Sequence, residues 1–445
     1  LAYTVGGNEV LETPGFESRG TLDCFTRTFG IEKTGVPLTL LVCESASAAS
    51  GGVAPANALV SNGQGTFVKS ADAAAGIAVL KDGANTTAVS VISAPAGANL
   101  EVVDGKRIHL KLPALAAPAH FTVRVWRGKN ESLSAFAAAD WPQLAASSAP
   151  TDAAVSKGGP ARWRVLNTAG KVSNGLEPYV VETLSVPETN PWNSWMRTAA
   201  LDFFPDGRAA VSTFNGDVWI VSGIDDSLQK LTWQRFATGL YEPMGLKIVD
   251  NKVYVLGRDQ ITRLHDLNAD GEADFYENFN NDGVVHRVYH GFVFDLQTDS
   301  EGNFYYARGG MTAPRGYPHA CTMLKVSKDG STLELFATGV RAGNGLGIGP
   351  NDEITFGDNQ GNWIPSSKIN LVKKGEFQGF TTMAPLNDTP KDYPKPLCWV
   401  PHSLDSSSGS QIWVGTDKFG PLKGKMLHTS FGRAALILVM HEYVD

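Results

Sequence analysis

From about residue 161 the sequence repeats a unit in which a strand of small and apolar residues is followed by a polar turn and a second strand rich in aromatic or β-branched residues. The units begin near Ala199, Met244, Gly291, Gly345 and Ser403. A period of about 45 to 60 residues is typical of sheet units that cannot bury both faces alone and must stack on their neighbours. The pattern predicts a β-propeller over residues 161–445 with five visible blades.

The fifth unit stops at Glu442–Asp445 without a Gly-rich turn or a closing strand. A ring with a gap would leave two sheet edges unpaired. We therefore expect six blades in the complete ring, the last one supplied by a segment beyond residue 445 or by a second chain.

The N-terminal part has a different pattern. Residues 1–136 alternate apolar and polar side chains in short runs such as Ile108–Leu112 and Phe121–Trp126, which predicts a β-sandwich-like domain. An Ala-, Ser-, Pro- and Gly-rich stretch follows over residues 137–160, and we assign it as a linker. The chain is thus expected to be all-β.

Composition excludes several classes of function. The 445 residues carry a formal net charge of −7 and no run of Lys or Arg, so neither nucleic acid nor an anionic membrane is an expected partner. No apolar run approaches the roughly 20 residues that a membrane-spanning helix needs. The chain opens at Leu1 without an initiator Met or a signal-like stretch, which is typical of a processed polypeptide.

The four cysteines match no metal-binding or haem-attachment spacing. Cys24 with Cys43 is the natural local disulfide, and Cys321 with Cys398 would complete an even set. Four cysteines allow three connectivities, and all four could also be free thiols. Disulfides would suit a secreted or periplasmic location.

A loop of alternating acidic and amide residues lies between two predicted strands. Oxygen-bearing side chains occupy positions 1, 3, 5, 7, 9 and 12 around the turn residue Gly271, and they are Asp266, Asn268, Asp270, Glu272, Asp274 and Glu277. Calcium takes six to eight oxygen ligands, and loops with this spacing supply them. The loop predicts a calcium site that stabilises a β-hairpin, the alternative being a solvated acidic turn.

Two passages resemble a known family. They are His290–Gly310 and Gly339–Pro350, the latter continuing into Gly357–Trp363. They are similar to the glucose/sorbosone dehydrogenase group of quinoprotein propellers, and most of all to large secreted propeller proteins of planctomycetes and verrucomicrobia that often carry a cytochrome c domain. The resemblance covers about residues 176–445 and implies a sugar or polyol dehydrogenase that uses pyrroloquinoline quinone (PQQ), with a cytochrome c domain or partner as electron acceptor.

The resemblance also implies roles for individual residues. His290 would be the base on the sugar hydroxyl, Arg341 would lie against the quinone, and Asp358 is grouped with them as a catalytic candidate. Residues expected to contact the cofactor are Arg341, Asn344, Asn359, Gln360 and Trp363. The sequence departs from the family after His290, where the usual Asn-Gly-Gly is Gly-Phe-Val, and the family's later Lys and Arg have no match.

Two other functions fit the same residues. A glycan hydrolase or lyase could use His290 and Asp358 as acid and base around the same channel. A non-catalytic propeller could bind carbohydrate or protein and hold calcium as its only ligand. Turnover without quinone would identify the hydrolase or lyase, and glycan binding without product would identify the binding protein.

Overall fold

The computed structural model describes residues 1–45, 50–54, 59–61, 67–69, 76–139, 157–286, 288–360, 366–381 and 390–442. Over these residues nearly all the regular secondary structure is β-strand, with one short α-helix, α1 (Leu133–Ala138), and 3-10 turns at Asn130–Ser132 and Asp417–Leu422. It divides into two compact units, Leu1–Lys157 and Gly158–Asp445. Most of the predicted linker, residues 140–156, lies outside the described residues.

The first unit is a β-sandwich. Its strands are β1 (Ala2–Val5), β2 (Asn8–Arg19), β3 (Leu22–Ile31), β4 (Leu38–Glu44), β5 (Ser50–Ala54), β6 (Leu59–Ser61), β7 (Phe67–Lys69), β8 (Ile77–Asp82), β9 (Asn85–Ile92), β10 (Asn99–Val103), β11 (Arg107–Leu112) and β12 (Ala119–Lys129). They form a seven-stranded sheet of order β1-β2-β3-β12-β9-β8-β5, a three-stranded sheet β10-β11-β4, and the pair β6-β7, all antiparallel.

Alternation along the strands builds the core of this unit. On β11 every second residue is buried, so Ile108 and Leu110 meet Phe29, Val91 and Val123 from the seven-stranded sheet. Side chains of period two face one side of a sheet, which is why the alternating runs of the sequence indicated a sandwich.

The second unit consists of five antiparallel sheets in chain order. Its strands are β13 (Leu166–Thr168), β14 (Thr198–Phe203), β15 (Ala209–Thr213), β16 (Val218–Ser222), β17 (Leu231–Ala237), β18 (Gly245–Val249), β19 (Lys252–Leu256), β20 (Ile261–His265), β21 (Phe275–Asn280), β22 (Val293–Thr298), β23 (Phe304–Arg308), β24 (Thr322–Val326), β25 (Leu333–Thr338), β26 (Asn344–Ile348), β27 (Ile354–Asp358), β28 (Ser367–Val372), β29 (Cys398–Val400), β30 (Ser408–Trp413), β31 (Met426–Ser430) and β32 (Ala435–Val439). The sheets are β13-β17-β16-β15-β14, then β18 to β21, β22 to β25, β26 to β29, and β30 to β32.

These sheets are the blades of a propeller, as the repeats predicted. The first strands, β14, β18, β22, β26 and β30, contact one another in that order and line a central channel. They begin within five residues of the predicted unit starts. Gly345 has φ +80°, and a Cβ there would lie 2.0 Å from the Cα of Ser410, so only glycine permits this approach of β26 to β30.

Apolar side chains fill the space between consecutive sheets. Leu246 and Val255 pack against Val218 between the first two sheets, and Phe356 packs with Tyr305 between the third and fourth. Such clusters join each neighbouring pair of the five sheets, which is the stacking that a repeat unit needs to bury its second face.

The fifth sheet has an exposed apolar side. Ile412 is 62 % exposed, and Leu436, Leu438 and Met440 are also exposed. On the first sheet, by contrast, Trp219 and Trp233 are buried beneath Leu184 and Trp192 of the preceding segment. The completing sixth blade stays a prediction.

The cysteines correct one expectation. All four are free thiols, so the expected disulfides are absent. Cys24 on β3 packs with Trp126 and Phe136, whereas Cys43 on β4 packs against the separate cluster around Ile108. Nearness in sequence suggested the pair, but the two side chains belong to different parts of the core.

No helix among the described residues is long and apolar enough to cross a membrane.

Candidate functional site

A cavity of about 710 Å³ opens where the inner strands of the propeller begin. Its wall contains the predicted residues His290, Arg341, Asn344, Asn359 and Gln360. They come from the segment before β22, from the start of β26 and from the end of β27, which the antiparallel sheets bring to the same end of the channel. The structure therefore gathers five of the proposed catalytic and cofactor-binding residues at one site. Trp363 lies outside the described residues.

His290 is half-buried on the wall of this cavity. Its ring meets the edge of Tyr289, with ring centroids 4.5 Å apart. Within the described residues neither ring nitrogen has a hydrogen-bond partner, so both are free to meet a ligand. A histidine without a structural partner that faces a cavity has the geometry required of a general base.

Arg341 faces the cavity, while its backbone is held from behind by Asp358. The Asp358 carboxylate accepts the backbone N–H groups of Arg341 at 3.2 Å and Ala342 at 2.9 Å. The guanidinium of Arg341 has no hydrogen-bond partner among the described side chains. A fork of unpaired donors is suited to a carboxylate ligand.

Asp358 does not line the cavity, although the sequence grouped it with the catalytic residues. It is fully buried and lies opposite Lys368 in the β27–β28 ladder. Burial raises the pKa of Asp358 and lowers the pKa of Lys368 to about 8, each effect being partly offset by the opposite charge of the other residue. On this geometry Asp358 fixes the backbone at Arg341 from outside the cavity lining.

The two asparagines connect the fourth sheet to the fifth. Asn344 donates its Nδ2 to the backbone oxygen of Ser408 at 3.0 Å, and Asn359 accepts the N–H of Ser408 at 3.2 Å. The Asn344 Oδ1 and the Asn359 Nδ2 have no partner in the described part of the chain. Each amide thus fixes the wall with one atom and leaves the other for a ligand.

Aromatic rings and a second arginine form the remaining wall, and sequence reasoning did not select them. Phe214, Tyr289 and Phe292 line the cavity, with the Phe214 and Phe292 rings 6.2 Å apart and the Tyr289 and Phe292 rings 6.5 Å apart. Arg197 stacks its guanidinium over Phe214 at 4.2 Å. These residues were not among the predicted site residues, and no local motif marks them.

A buried cationic cluster supports the loop that carries His290. Arg308 donates to the oxygen of Val284 at 2.8 Å, and Arg258 donates to the oxygen of Val288 at 2.7 Å. His286 is buried, and its Nε2 lies 2.7 Å from the oxygen of Pro318. Backbone carbonyl oxygens thus accept many of the hydrogen bonds that these cationic side chains donate. Within the described residues the carboxylate that pairs with the cluster is Glu242, which lies 2.9 Å from Arg258.

A second histidine, His319, joins this cluster, since its Nδ1 accepts the N–H of Val284 at 3.1 Å. His286 and His319 are predicted to make the free energy of unfolding depend on pH. Burial, and then repulsion by Arg308, lowers the pKa of both His286 and His319. The unfolded chain takes up these protons near pH 6.5, whereas the folded chain does so only at lower pH. The two histidines therefore cost no free energy of unfolding above about pH 6.5. Below that pH the free energy of unfolding decreases, by up to about 1.4 kcal/mol per pH unit for each histidine.

Urea unfolding between about pH 7.5 and pH 5 measures this slope. His286→Gln keeps an N–H near the position of Nε2 but cannot take up a proton, so it should flatten the slope. His120→Gln, at an exposed position of β12, is the control and should leave the slope as it is. The same slope in wild type and His286→Gln would contradict the assignment to His286.

The proposed calcium loop folds differently from the expected ligand set. Asp266 accepts the N–H groups of Asp270 and Gly271, at 3.2 and 2.9 Å, and Gly271 has φ +89°. This first half has the curled shape of a cation loop. Asn268 and Asp270 likewise accept backbone N–H groups of the same turn, at 3.1 and 3.0 Å.

The acidic groups in the second half of the loop also bond other segments. Glu272 accepts the N–H groups of Arg162 and Trp163, both at 2.6 Å. Asp274 accepts the N–H of Gly159 at 2.7 Å and, within the loop, that of Leu267 at 2.9 Å. Glu277 lies on β21 and pairs with Arg263 on β20 at 2.6 Å. The described residues contain no group of three or more His, Cys, Asp or Glu side chains that could hold a metal ion. The six predicted ligands do not converge.

We expect the turn at Asp266–Gly271 to keep its conformation without a bound ion. The melting temperature in EDTA should therefore lie within about 1 °C of that in excess calcium. Asp270→Ala should lower the melting temperature equally in both buffers, because it removes an acceptor of a backbone N–H. A clear fall in EDTA that Asp270→Ala abolishes would instead restore the calcium site.

No protein-family model matches this chain, and no curated protein matches it. Solved structures of similar fold include a putative glucose dehydrogenase from Thermus thermophilus, with 16 % identity, 63 % of this chain and 83 % of that chain covered, and a TM-score of 0.44. A PQQ-bound aldose sugar dehydrogenase from Streptomyces coelicolor shares 12 % identity over 56 % of this chain and 78 % of its own, with a TM-score of 0.42. The PQQ domain of pyranose dehydrogenase from Coprinopsis cinerea shares 9 % identity, with 54 % of this chain and 73 % of that chain covered and a TM-score of 0.41.

Proposed function

We propose that this chain oxidises a hydroxyl group of a sugar or polyol in the propeller cavity, with PQQ as its cofactor. One observation carries the proposal: His290 and Arg341 face the same cavity with side-chain nitrogens that no described residue occupies. A base and an unpaired guanidinium in one aromatic-walled cavity suit a substrate hydroxyl beside an anionic planar cofactor.

His290 would take the proton of the substrate hydroxyl. In its neutral form one ring nitrogen carries a lone pair, and the position on the cavity wall lets that atom reach a bound ligand. The loop that carries His290 is fixed by carbonyl bonds from Arg258 and Arg308, which limits the freedom of the base before substrate arrives.

Arg341 would hold a carboxylate of the quinone. Asp358 fixes the backbone at Arg341, so the guanidinium is presented from a rigid turn. The free amide atoms of Asn344 and Asn359, on the same wall as Arg341, supply polar contacts to the cofactor. When bound, the quinone would supply the hydride acceptor that no protein side chain provides.

The placement of Asp358 weighs against the glycan hydrolase or lyase. Glycoside hydrolysis usually needs two carboxyl groups on either side of the scissile bond. No Asp or Glu is among the described residues that line the cavity, and Asp358 lies behind Arg341. A binding protein without turnover remains the other outcome of the experiment below.

The proposal includes a secreted or periplasmic location and a cytochrome c domain or partner that accepts the electrons. It also leaves room for a second chain or further segment to complete the ring. Each of these is independent of the chemistry at His290.

The direct test is to add PQQ to the purified protein and to follow its absorption spectrum during addition of aldoses, uronic acids and polyols. Stoichiometric binding, bleaching by a substrate, and quinone-dependent dye reduction are the expected results. Arg341→Met should weaken quinone binding. Quinone binding without any substrate-dependent bleaching, or turnover of glycans without quinone, would refute the dehydrogenase.

A further inference from the structure

The cavity carries two guanidinium groups and no carboxylate. Arg341 and Arg197 both line it, and no described lining residue is Asp or Glu. Each guanidinium lacks a hydrogen-bond partner among the described residues, and Arg197 has only the faces of Phe214 and Trp195 beneath it. Exposed arginines commonly pair with a neighbouring acid, so two unpaired ones around one cavity give it a positive field.

The two arginines lie on different walls. Arg341 stands with Asn344 and Asn359 on the side of the fourth sheet, while Arg197 precedes β14 on the side of the first sheet. If Arg341 is taken by the cofactor, Arg197 is left without a function in the proposed reaction.

Aromatic contacts connect Arg197 to the proposed base. The order is Arg197 over Phe214 at 4.2 Å, Phe214 to Phe292 at 6.2 Å, Phe292 to Tyr289 at 6.5 Å, and Tyr289 to His290 at 4.5 Å. We call these three rings, Phe214, Phe292 and Tyr289, the aromatic strip. Sugar rings pack on aromatic faces through their C–H groups, so the strip offers a path along which a saccharide could lie with one end at each polar group.

We propose that Arg197 is a specificity residue that binds the anionic group of an acidic saccharide whose hydroxyl is presented to His290. The inference deepens the carbohydrate function proposed above and rests on it. The shared chemistry is a negatively charged sugar, and its charge could come from a uronate carboxylate or from a sulfate ester.

Geometry favours a planar or tetrahedral oxyanion at Arg197. The guanidinium keeps its N–H edge free when its face is stacked on Phe214, and that edge can donate two parallel hydrogen bonds. Stacking also restricts the side chain, which reduces the entropy lost when the anion binds.

Equilibrium titration without quinone or electron acceptor tests the inference. Every titration uses the Arg341→Met background, which leaves Arg197 as the one guanidinium among the described residues that line the cavity. The probes are glucose, glucuronate and glucose 6-sulfate at low ionic strength. We expect the anionic sugars to bind about tenfold more tightly than glucose, because hydrogen bonds to charged groups are roughly twice as strong as neutral ones. Raising the salt concentration to about 0.5 M should reduce that preference. Preference for only one of the two anions would identify the source of the charge.

Arg197→Met should abolish the preference for the anionic sugar while glucose binding changes less than about twofold. Arg197→Lys should retain part of it, since the charge remains but the fork is lost. Arg208→Met is the matched control, because Arg208 also stacks on a Phe, at 4.7 Å, but lies outside the cavity. Thermal melts confirm that each variant is folded.

Equal binding of glucose and both anions by the Arg341→Met chain, or a preference that survives when Arg197→Met is added to it, would overturn the inference. Because the titration contains no quinone, its result does not depend on dehydrogenase activity. A clear anion preference with no quinone-dependent oxidation would refute the proposed function and leave the role of Arg197 in place.

Discussion

Replacing His290 by alanine is expected to lower kcat for the preferred sugar at least about a hundredfold, which is the usual range for loss of a general base. The melting temperature should change little, because neither ring nitrogen of His290 is hydrogen-bonded within the described residues. Steady-state dye reduction with PQQ present, together with thermal melts, measures both quantities.

A control histidine sharpens this test. His120→Ala, at an exposed position of the first unit, is the control and should keep wild-type turnover. Turnover by His290→Ala within a few-fold of wild type would remove His290 from the mechanism.

The second large effect is expected at Asp358. Asp358→Ala should lower the free energy of unfolding of the second unit by about 3–5 kcal/mol, since it leaves the buried Lys368 without its neighbouring opposite charge. It also removes the acceptor of the Arg341 and Ala342 N–H groups. Urea unfolding followed by tryptophan fluorescence measures the loss.

Two further variants separate these causes. Asp358→Asn keeps one acceptor and the shape of the side chain, so it should lower the free energy of unfolding less than Asp358→Ala does. Combining Asp358→Ala with Lys368→Met should recover part of the stability, because the uncompensated buried charge disappears. Asp226→Ala, at an exposed turn, provides the baseline for removing a carboxylate. A loss at Asp358 no larger than this baseline would refute the positioning role.

The sequence predicted the propeller because its repeats follow strand pairs. Each unit begins with residues such as Gly245 or Asn344 that start an inner strand, and the same strands meet at the channel. Residues near those starts therefore share one end of the ring. His290, Arg341 and Asn344 all lie near such starts and line one cavity.

Contacts between distant segments could not be predicted in this way. Arg197 and Phe214 come from the first sheet, and nothing in their local sequence indicates that they face His290. Asp358 was expected at the same end of the ring as Asn359, yet every residue of β27 is buried and the Asp358 carboxylate bonds the backbone of Arg341 and Ala342.

The acidic loop shows a similar effect at one of its predicted ligands. Glu277 stands at the twelfth position that a calcium loop requires, but strand β21 has begun by then and sets its side chain opposite Arg263. A ladder partner on the next strand thus competes with the loop for the same carboxylate. Spacing along the chain does not show such a partner.

The exposed side of the fifth sheet has a practical consequence for work with the isolated chain. Its outer strand, β32, has the sequence Ala435-Leu-Ile-Leu-Val439, contains no charge, and is the last strand of its sheet in the described part of the chain. Such a strand edge, with Leu436 57 % exposed, is a template for pairing with other molecules. Solutions of the chain should therefore scatter light increasingly with protein concentration, and Leu436→Lys should suppress that aggregation while leaving the cavity unchanged.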